Sequence, residues 1–517
     1  MPHTTAATAV SPRRWWARLG VGVLAWSLCL GSAWSQRNAL PALGEGEGLS
    51  LSAERELGDR IVRELYRDPD HIEDALLDEY VQSLWTPLVQ AAAERGELSD
   101  ELRERFAWRI LLSRDRSVNA FALPGGYLGV HLGLIAVVGS RDELASVLAH
   151  ELSHVTQRHI ARSIEAQGRM TPVLIGSLIL GALAASKSPQ ATQALIVGGQ
   201  AATLQSQLSY SRDMEREADR VGFGVLSQAG YDPQGFVGMF AKLQQAAGLN
   251  DSGAFPYLRS HPLTTERIAD MQSRLPLGGG RSSPPGPDLV QALASARARV
   301  LSQSQVDQLR AWTELPTRLP AQATAAQRAG SLYAAALAWQ RLQAPEAAQR
   351  AWQALQPLTQ GHAEAERWAR LLGLELQAAR GEHAQVVQAL TAGGPKARWA
   401  RPELVALAQS LLHLPGHPQS QTAIEQLRLR VQNPDPPAWT LMASLLAAQG
   451  QPLAALRAEG EAQLARLDLP GALDRFRAAQ EAARRGPLQP GEYIEASIVD
   501  TRVRDITAQL RQQTQER

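Results

Sequence analysis

The stretch LASVLAHELSHVTQRHI, residues 144–160, holds three groups that could do chemistry together: His150, Glu151 and His154. On a helix, residues four apart project from one face, a turn apart, so these two imidazoles could share one divalent cation. Zinc takes imidazole nitrogen at about 2.0–2.1 Å in tetrahedral geometry, and such a pair supplies half of that shell. Glu151 is turned by roughly 100° from His150. It does not easily join both histidines on the ion, but it reaches a water bound there, which is the arrangement of a metal-assisted hydrolase. The pattern is improbable by chance in a chain with 11 histidines among 517 residues. Leu144, Val147, Leu148, Leu152 and Val155 supply the apolar support of the helix. The competing picture is a surface helix carrying two ordinary histidines. His159 falls outside the extended form of the motif, because Gln157 and Ile160 stand where that form needs Gly and His. It reads as a solvated residue.

A third ligand must come from elsewhere, and SRDMEREADRVG (211–222) offers Glu215, Glu217 and Asp219. On a helix, Met214, Ala218, Val221 and Val225 form the apolar stripe. Glu215 lies beside that stripe, Glu217 on the other flank, and Asp219 four residues after Glu215 on its side. The geometry favours Glu215 over Glu217 as ligand. It leaves Asp219 to accept a hydrogen bond from the other nitrogen of a ligand imidazole.

Several elements must position these groups. Residues from about 50 to 115 read as helical, opening on a Ser-x-x-Glu-type cap at Ser52 to Glu54. SVNAFALPGGYLGV (117–130) has strand-like runs on either side of Pro124-Gly125-Gly126, a hairpin signal. Met170 to Ser211 carries a single charged residue, Lys187, and its longest apolar-and-small run, Val173–Ala185, is 13 residues. That is short of the roughly 20 a membrane span needs. It reads as a buried helical hairpin, or as an amphiphilic flap over the site or near a membrane surface. A helix resumes at Ser211 and ends near Gly230.

Residues 1–35 read as a secretory signal peptide: Arg13, Arg14 and Arg18, then an apolar run from Leu19, then Ala33-Trp34-Ser35. An uncleaved anchor is the alternative. Cleavage would remove three arginines and no acid, taking the net charge from +1 to −2, and would also remove Cys29, the only cysteine. The mature chain then needs no disulfide, and any metal chemistry must use His and carboxylates. Balanced charge, with 52 Lys+Arg against 51 Asp+Glu, speaks against a nucleic-acid partner.

The expected division is a signal peptide (1–35), a metallopeptidase domain (36–275), a Gly/Pro/Ser linker (276–288) and a helical repeat domain (289–517). In the last part, Gly381, Gly416 and Gly450 sit at matching breaks, 35 and 34 residues apart. That is the period of tetratricopeptide (TPR) helix pairs, which stack into a solenoid. The expected fold class is therefore mainly α: a zincin-like domain of helices with a small β-sheet, followed by a TPR-like solenoid.

NAFALPGGY, HELSHVTQRH, SRDMEREAD and HPLTTERI together resemble the gluzincin metallopeptidases related to HtpX and the CAAX prenyl proteases, over roughly residues 50–275. The likeness implies a zinc endopeptidase with one Zn2+ held by His150, His154 and Glu215, and Glu151 as the catalytic base. It further implies that His261 can take the fourth zinc position and keep the enzyme latent. It implies that Asn119, Ala120, Phe121 and Ala122 form an edge strand on which an extended peptide lies. Periplasmic members of the group that carry a TPR tail imply a location in the periplasm and work in outer-membrane protein quality control. Expected partners are unfolded or misassembled outer-membrane proteins, the β-barrel assembly machinery met through the TPR region, and a peripheral membrane contact. The alternative is chiefly a TPR chaperone or adaptor with little proteolysis.

Overall fold

Ser50 opens the first helix of the described structure. Its side chain accepts from the Ala53 amide and caps α1 (Leu51–Arg67), so the cap falls just before the expected Ser52–Glu54 position. The computed structural model describes residues 49–166, 211–247, 255–275, 288–394, 398–431, 435–485 and 487–515. The expected signal peptide lies outside these residues. So do Met170–Ser211 and the linker 276–288, apart from Ser211 and Asp288 at their ends.

After α1 come β1 (His71–Ile72), α2 (Ala75–Glu94), α3 (Asp100–Arg105) and β2 (Arg109–Ser113). The expectation of continuous helix to about residue 115 fails at the two strands. Ile110-Leu111-Leu112 is a short apolar run, which periodicity alone does not separate from buried helix. Its backbone pairs in parallel with β4 (Tyr127–His131), Arg109 facing Tyr127 and Ser113 facing His131. The hairpin forms as expected: β3 (Ala120–Leu123) runs antiparallel to β4, Leu123 opposite Tyr127. Gly125 and Gly126 between them adopt φ of 75° and 83°, the left-handed region glycine enters without a Cβ clash. The sheet order β1-β2-β4-β3 leaves β3 at an edge.

A short α4 (Leu132–Val137) leads into α5 (Arg141–Thr156), the helix of the opening motif. Ser140 caps it through the Glu143 amide, and every residue from Leu144 to Thr156 is buried. Its apolar side chains therefore pack on all sides, against α2, β3, α7 (Arg212–Gln228) and α8 (Gln234–Ala247). Three short elements complete this half: α6 (His159–Ala166), α9 (Tyr257–Ser260) and α10 (Thr265–Ser273). The surface-helix alternative is excluded.

Twelve helices follow among the described residues, α11 (Leu289–Ser302) through α22 (Glu492–Gln515), with no strand. Three successive pairs break at the glycines singled out by spacing. Gly381 separates α15 (Ala363–Ala379) from α16 (His383–Thr391), and Gly416 separates α17 (Arg401–Leu411) from α18 (Gln419–Arg430). Gly450 separates α19 (Pro436–Ala448) from α20 (Pro452–Ala465), and all three glycines have φ between 72° and 78°. Neighbouring helices pack on each other along the chain, as in a helical solenoid.

The two halves share a core. One buried cluster runs from Leu51 to Ala458, and α11 packs on α4 and α2. Gln291 and Ser295 of α11 donate to the Ile135 carbonyl at 3.2 and 2.8 Å, satisfying a helix-end oxygen that would otherwise be buried unpaired. No helix of the described residues is long and apolar enough to cross a membrane.

Candidate metal centre

The site forms where α7 lies against α5. Gly222 makes the approach possible, since a Cβ there would stand 3.1 Å from the Ala149 carbonyl carbon and oxygen. Ser211 caps α7, so Glu215 sits in its first turn with its carboxylate turned inward. His150 and His154 present their Nε2 atoms to each other at 3.0 Å. Glu215 Oε2 is 3.6 Å from His150 Nε2, and its Oε1 is 3.5 Å from His154 Nε2. The fourth member is His261, just after α9. Its Nδ1 lies 3.3 Å from His150 Nε2 and 2.9 Å from Glu215 Oε1.

These four residues are all buried, and one donor atom from each lies within 4.8 Å of the other three. A tetrahedral shell at zinc–nitrogen distances has edges of about 3.4 Å. The separations just given bracket that value. Two imidazole nitrogens facing a third, with a carboxylate beside them, suit a cation at their centre far better than they suit one another. The donor set fits zinc.

Asp219, one turn beyond Glu215, places Oδ1 3.0 Å from His150 Nδ1. A carboxylate there keeps the proton on Nδ1 and leaves Nε2 free to ligate. Burial alone would lower the His150 pKa, but Asp219 and Glu215 outweigh it and push it up to about 10. Burial, then the neighbouring His150, hold His154 well below the usual histidine range, in the neutral form a ligand needs. Burial works to raise the Glu215 pKa, yet His261 and His150 hold it far below the carboxylate range.

Glu151 is fully buried beside this group. Its Oε2 accepts from the Ala122 amide of β3 at 2.9 Å, and its Oε1 is 3.4 Å from His261 Nε2. Burial raises its pKa, against the lowering effect of His261 and His150. Asn119 precedes the edge strand β3, and its carbonyl accepts from the His131 amide. Ala120 and Ala122 are buried, while Phe121 is partly exposed.

One expectation changes, and one residue is new. His159 is not solvated: it is wholly buried, its Nδ1 2.9 Å from His154 Nδ1 and its Nε2 3.1 Å from Glu217 Oε2. Glu217 stays out of the donor group and serves His159 instead. Arg267 of α10 was not singled out at all. Its Nε and Nη2 donate to Asp219 at 2.6 and 2.8 Å, and its Nη1 donates to the Pro262 carbonyl at 2.8 Å. That Nη1 also lies 2.7 Å from Glu215 Oε2. One guanidinium thus ties Glu215 and Asp219 of α7 to the segment that carries His261. The available signal was its place in HPLTTERI, six residues after His261, as a lone cation facing two buried acids.

Peptidase family M48 matches residues 78–275, the span that holds every residue of this centre. Over that span the chain is similar to the metallopeptidases of family M48. A Vibrio cholerae relative is 38% identical over 263 residues, 50% of this chain and 51% of that protein. The beta-barrel assembly-enhancing protease of Escherichia coli K12 is 37% identical over 239 residues, 46% of this chain and 47% of that protein. The mitochondrial metalloendopeptidase OMA1 of Schizosaccharomyces pombe is 32% identical over 169 residues, 33% of this chain and 47% of that protein. The chain thus spans about half the length of the bacterial relatives it matches. The resemblance to gluzincin peptidases is borne out at the level of the family, together with the mainly helical fold and the zinc.

Proposed function

We propose that the protein is a zinc-dependent endopeptidase of the bacterial periplasm that acts in outer-membrane protein assembly and quality control. The observation that carries the hydrolytic part is the convergence of His150, His154 and Glu215 on one point, with Glu151 against it. A zinc ion held there supplies Lewis acidity, activating water and polarising a peptide carbonyl. Glu151 Oε1 takes the proton of the attacking water and returns it to the leaving amine. Its Oε2 stays anchored on Ala122, so the base is fixed to the strand beside which a substrate would lie. Among the described residues β3 is an edge strand, and its outward main-chain groups other than the Ala122 amide can hold extended chain with little demand on sequence, which suits misfolded clients.

The relatives named for β-barrel assembly support the outer-membrane setting. Stalled or misassembled outer-membrane proteins are the proposed substrates. The solenoid is the proposed contact with the β-barrel assembly machinery and the seat of a chaperone-like activity. Metal analysis of the purified mature protein, with casein cleavage before and after chelation, tests the enzymatic core. About one zinc per chain and chelator-sensitive cleavage are expected; a metal-free protein that still cleaves casein would refute the reading.

His261 closes the site in this conformation. It fills the fourth corner of the donor group and also stands against Glu151, the proposed base. A peptide must displace it, so His261→Ala is expected to raise casein cleavage several-fold with zinc retained. Activity unchanged or lowered at full zinc occupancy would show that His261 does not block the site.

A further inference from the structure

Each ligand histidine needs its second ring nitrogen fixed. Asp219 Oδ1 does this for His150 at 3.0 Å. At His154 the partner is another imidazole: His159 Nδ1 lies 2.9 Å from His154 Nδ1, and His159 Nε2 meets Glu217 Oε2 at 3.1 Å. The same oxygen of Glu217 accepts from Arg162 at 2.8 Å. We infer that His159 is a positioning residue for the zinc site, wiring His154 to Glu217 through a second imidazole. The inference rests on the zinc reading of the site.

The proton assignment follows from the contacts. If His154 ligates through Nε2, its Nδ1 carries the hydrogen and donates. His159 Nδ1 must then accept, which leaves the hydrogen of a neutral His159 on Nε2, facing the Glu217 carboxylate. Every nitrogen in the chain finds a complementary partner in one arrangement, and Arg162 holds the terminal carboxylate. The backbone is bent to make the contact. Arg158, the residue before His159, adopts φ of 52°, a left-handed conformation unfavourable for a side chain of its kind. Its Nε donates to the buried Glu54 at 3.1 Å and its Nη2 to the Leu49 carbonyl. The kink ends α5 and swings the His159 ring, wholly buried, back onto His154. A residue that merely filled space there would not need its two nitrogens matched to an imidazole and a carboxylate.

The test is zinc affinity measured by competition with a chromogenic chelator on the full mature chain, with the melting temperature of each metal-free variant alongside. His159→Leu removes the acceptor and is expected to weaken zinc binding by about 10–100-fold, the usual effect of losing a partner of a ligand histidine. His159→Asn puts an acceptor oxygen near the Nδ1 position and should recover most of that loss. Glu217→Ala, on the half-exposed flank of α7, should weaken binding several-fold with no change in the metal-free melting temperature. It carries the test should the leucine variant fail to fold. Wild-type affinity in His159→Leu or Glu217→Ala, or an asparagine variant as weak as leucine, would overturn the wiring while leaving the zinc site standing. A wild type that binds no zinc would defeat the metallopeptidase reading, and the wiring with it.

Discussion

Replacing Glu151 with glutamine is expected to lower casein cleavage by about 10²–10⁴-fold, the usual worth of a general base. Zinc content should stay near one per chain. The substitution keeps the shape of the side chain and the oxygen that accepts from the Ala122 amide, so β3 and α5 stay docked. Only the atom that faces the proposed water loses its capacity to hold a proton. Because none of the metal-binding atoms belongs to Glu151, the donor group of His150, His154, Glu215 and His261 should survive intact. Loss of zinc in this variant would make Glu151 a structural residue, and full activity would remove it from the chemistry altogether. The same variant separates the two activities proposed for the chain. Client binding by the solenoid should persist in Glu151→Gln, and a cell that needs only that binding would tolerate the change.

The parts of this centre differed sharply in how far sequence revealed them. His150 and His154 were legible because both sit on one helix, where spacing alone fixes the angle between side chains. Glu215 and Asp219 followed from the second helix for the same reason, the apolar stripe telling which flank faces inward. His261 had no such periodicity: it follows the last turn of a four-residue helix, and only family likeness pointed to it. His159 was misjudged because the motif spacing that excludes it as a ligand says nothing of a residue that supports one. The positive φ at Arg158 ends α5 just before it, and its ring meets His154. Arg267 belongs to a third helix, α10; its place in HPLTTERI was visible, but not its pairing with Asp219, 48 positions earlier in the chain. In the fold, the hairpin around Gly125-Gly126 and the solenoid glycines were readable from backbone demands. Strand β2 was not, since a run of three apolar residues takes its identity from the partner strand it finds.

Asp74→Asn is expected to destabilise the protein by about 3 kcal/mol at neutral pH, the lower end of what breaking a buried ion pair costs. Asp74 does two jobs at the start of α2. It caps the helix by accepting from the Leu77 amide at 2.9 Å, and it receives Arg297 of α11 through Nε and Nη2, the closest contact being 2.7 Å. Asparagine caps a helix as well as aspartate does, so the substitution isolates the ion pair. Arg297 would keep Glu375 at 2.8 Å and Tyr333 at 3.2 Å, both from the solenoid, and lose Asp74, its anionic partner in the peptidase half among the described residues. Burial works to raise the Asp74 pKa, but Arg297 prevails and the folded value is lowered. A carboxylate whose folded pKa lies below its unfolded value, about 3.9, contributes its full stability above that pH and loses it as pH falls further. The difference between wild type and Asp74→Asn in urea midpoint should therefore hold from pH 8 to about pH 5 and shrink below pH 4. Arg297→Met combined with Asp74→Asn should cost less than the two changes summed, because no buried charge is then left facing a neutral amide. Additive losses, or a gap that widens in acid, would mean that the pair does not join the two halves. The shared core would then rest on apolar packing alone.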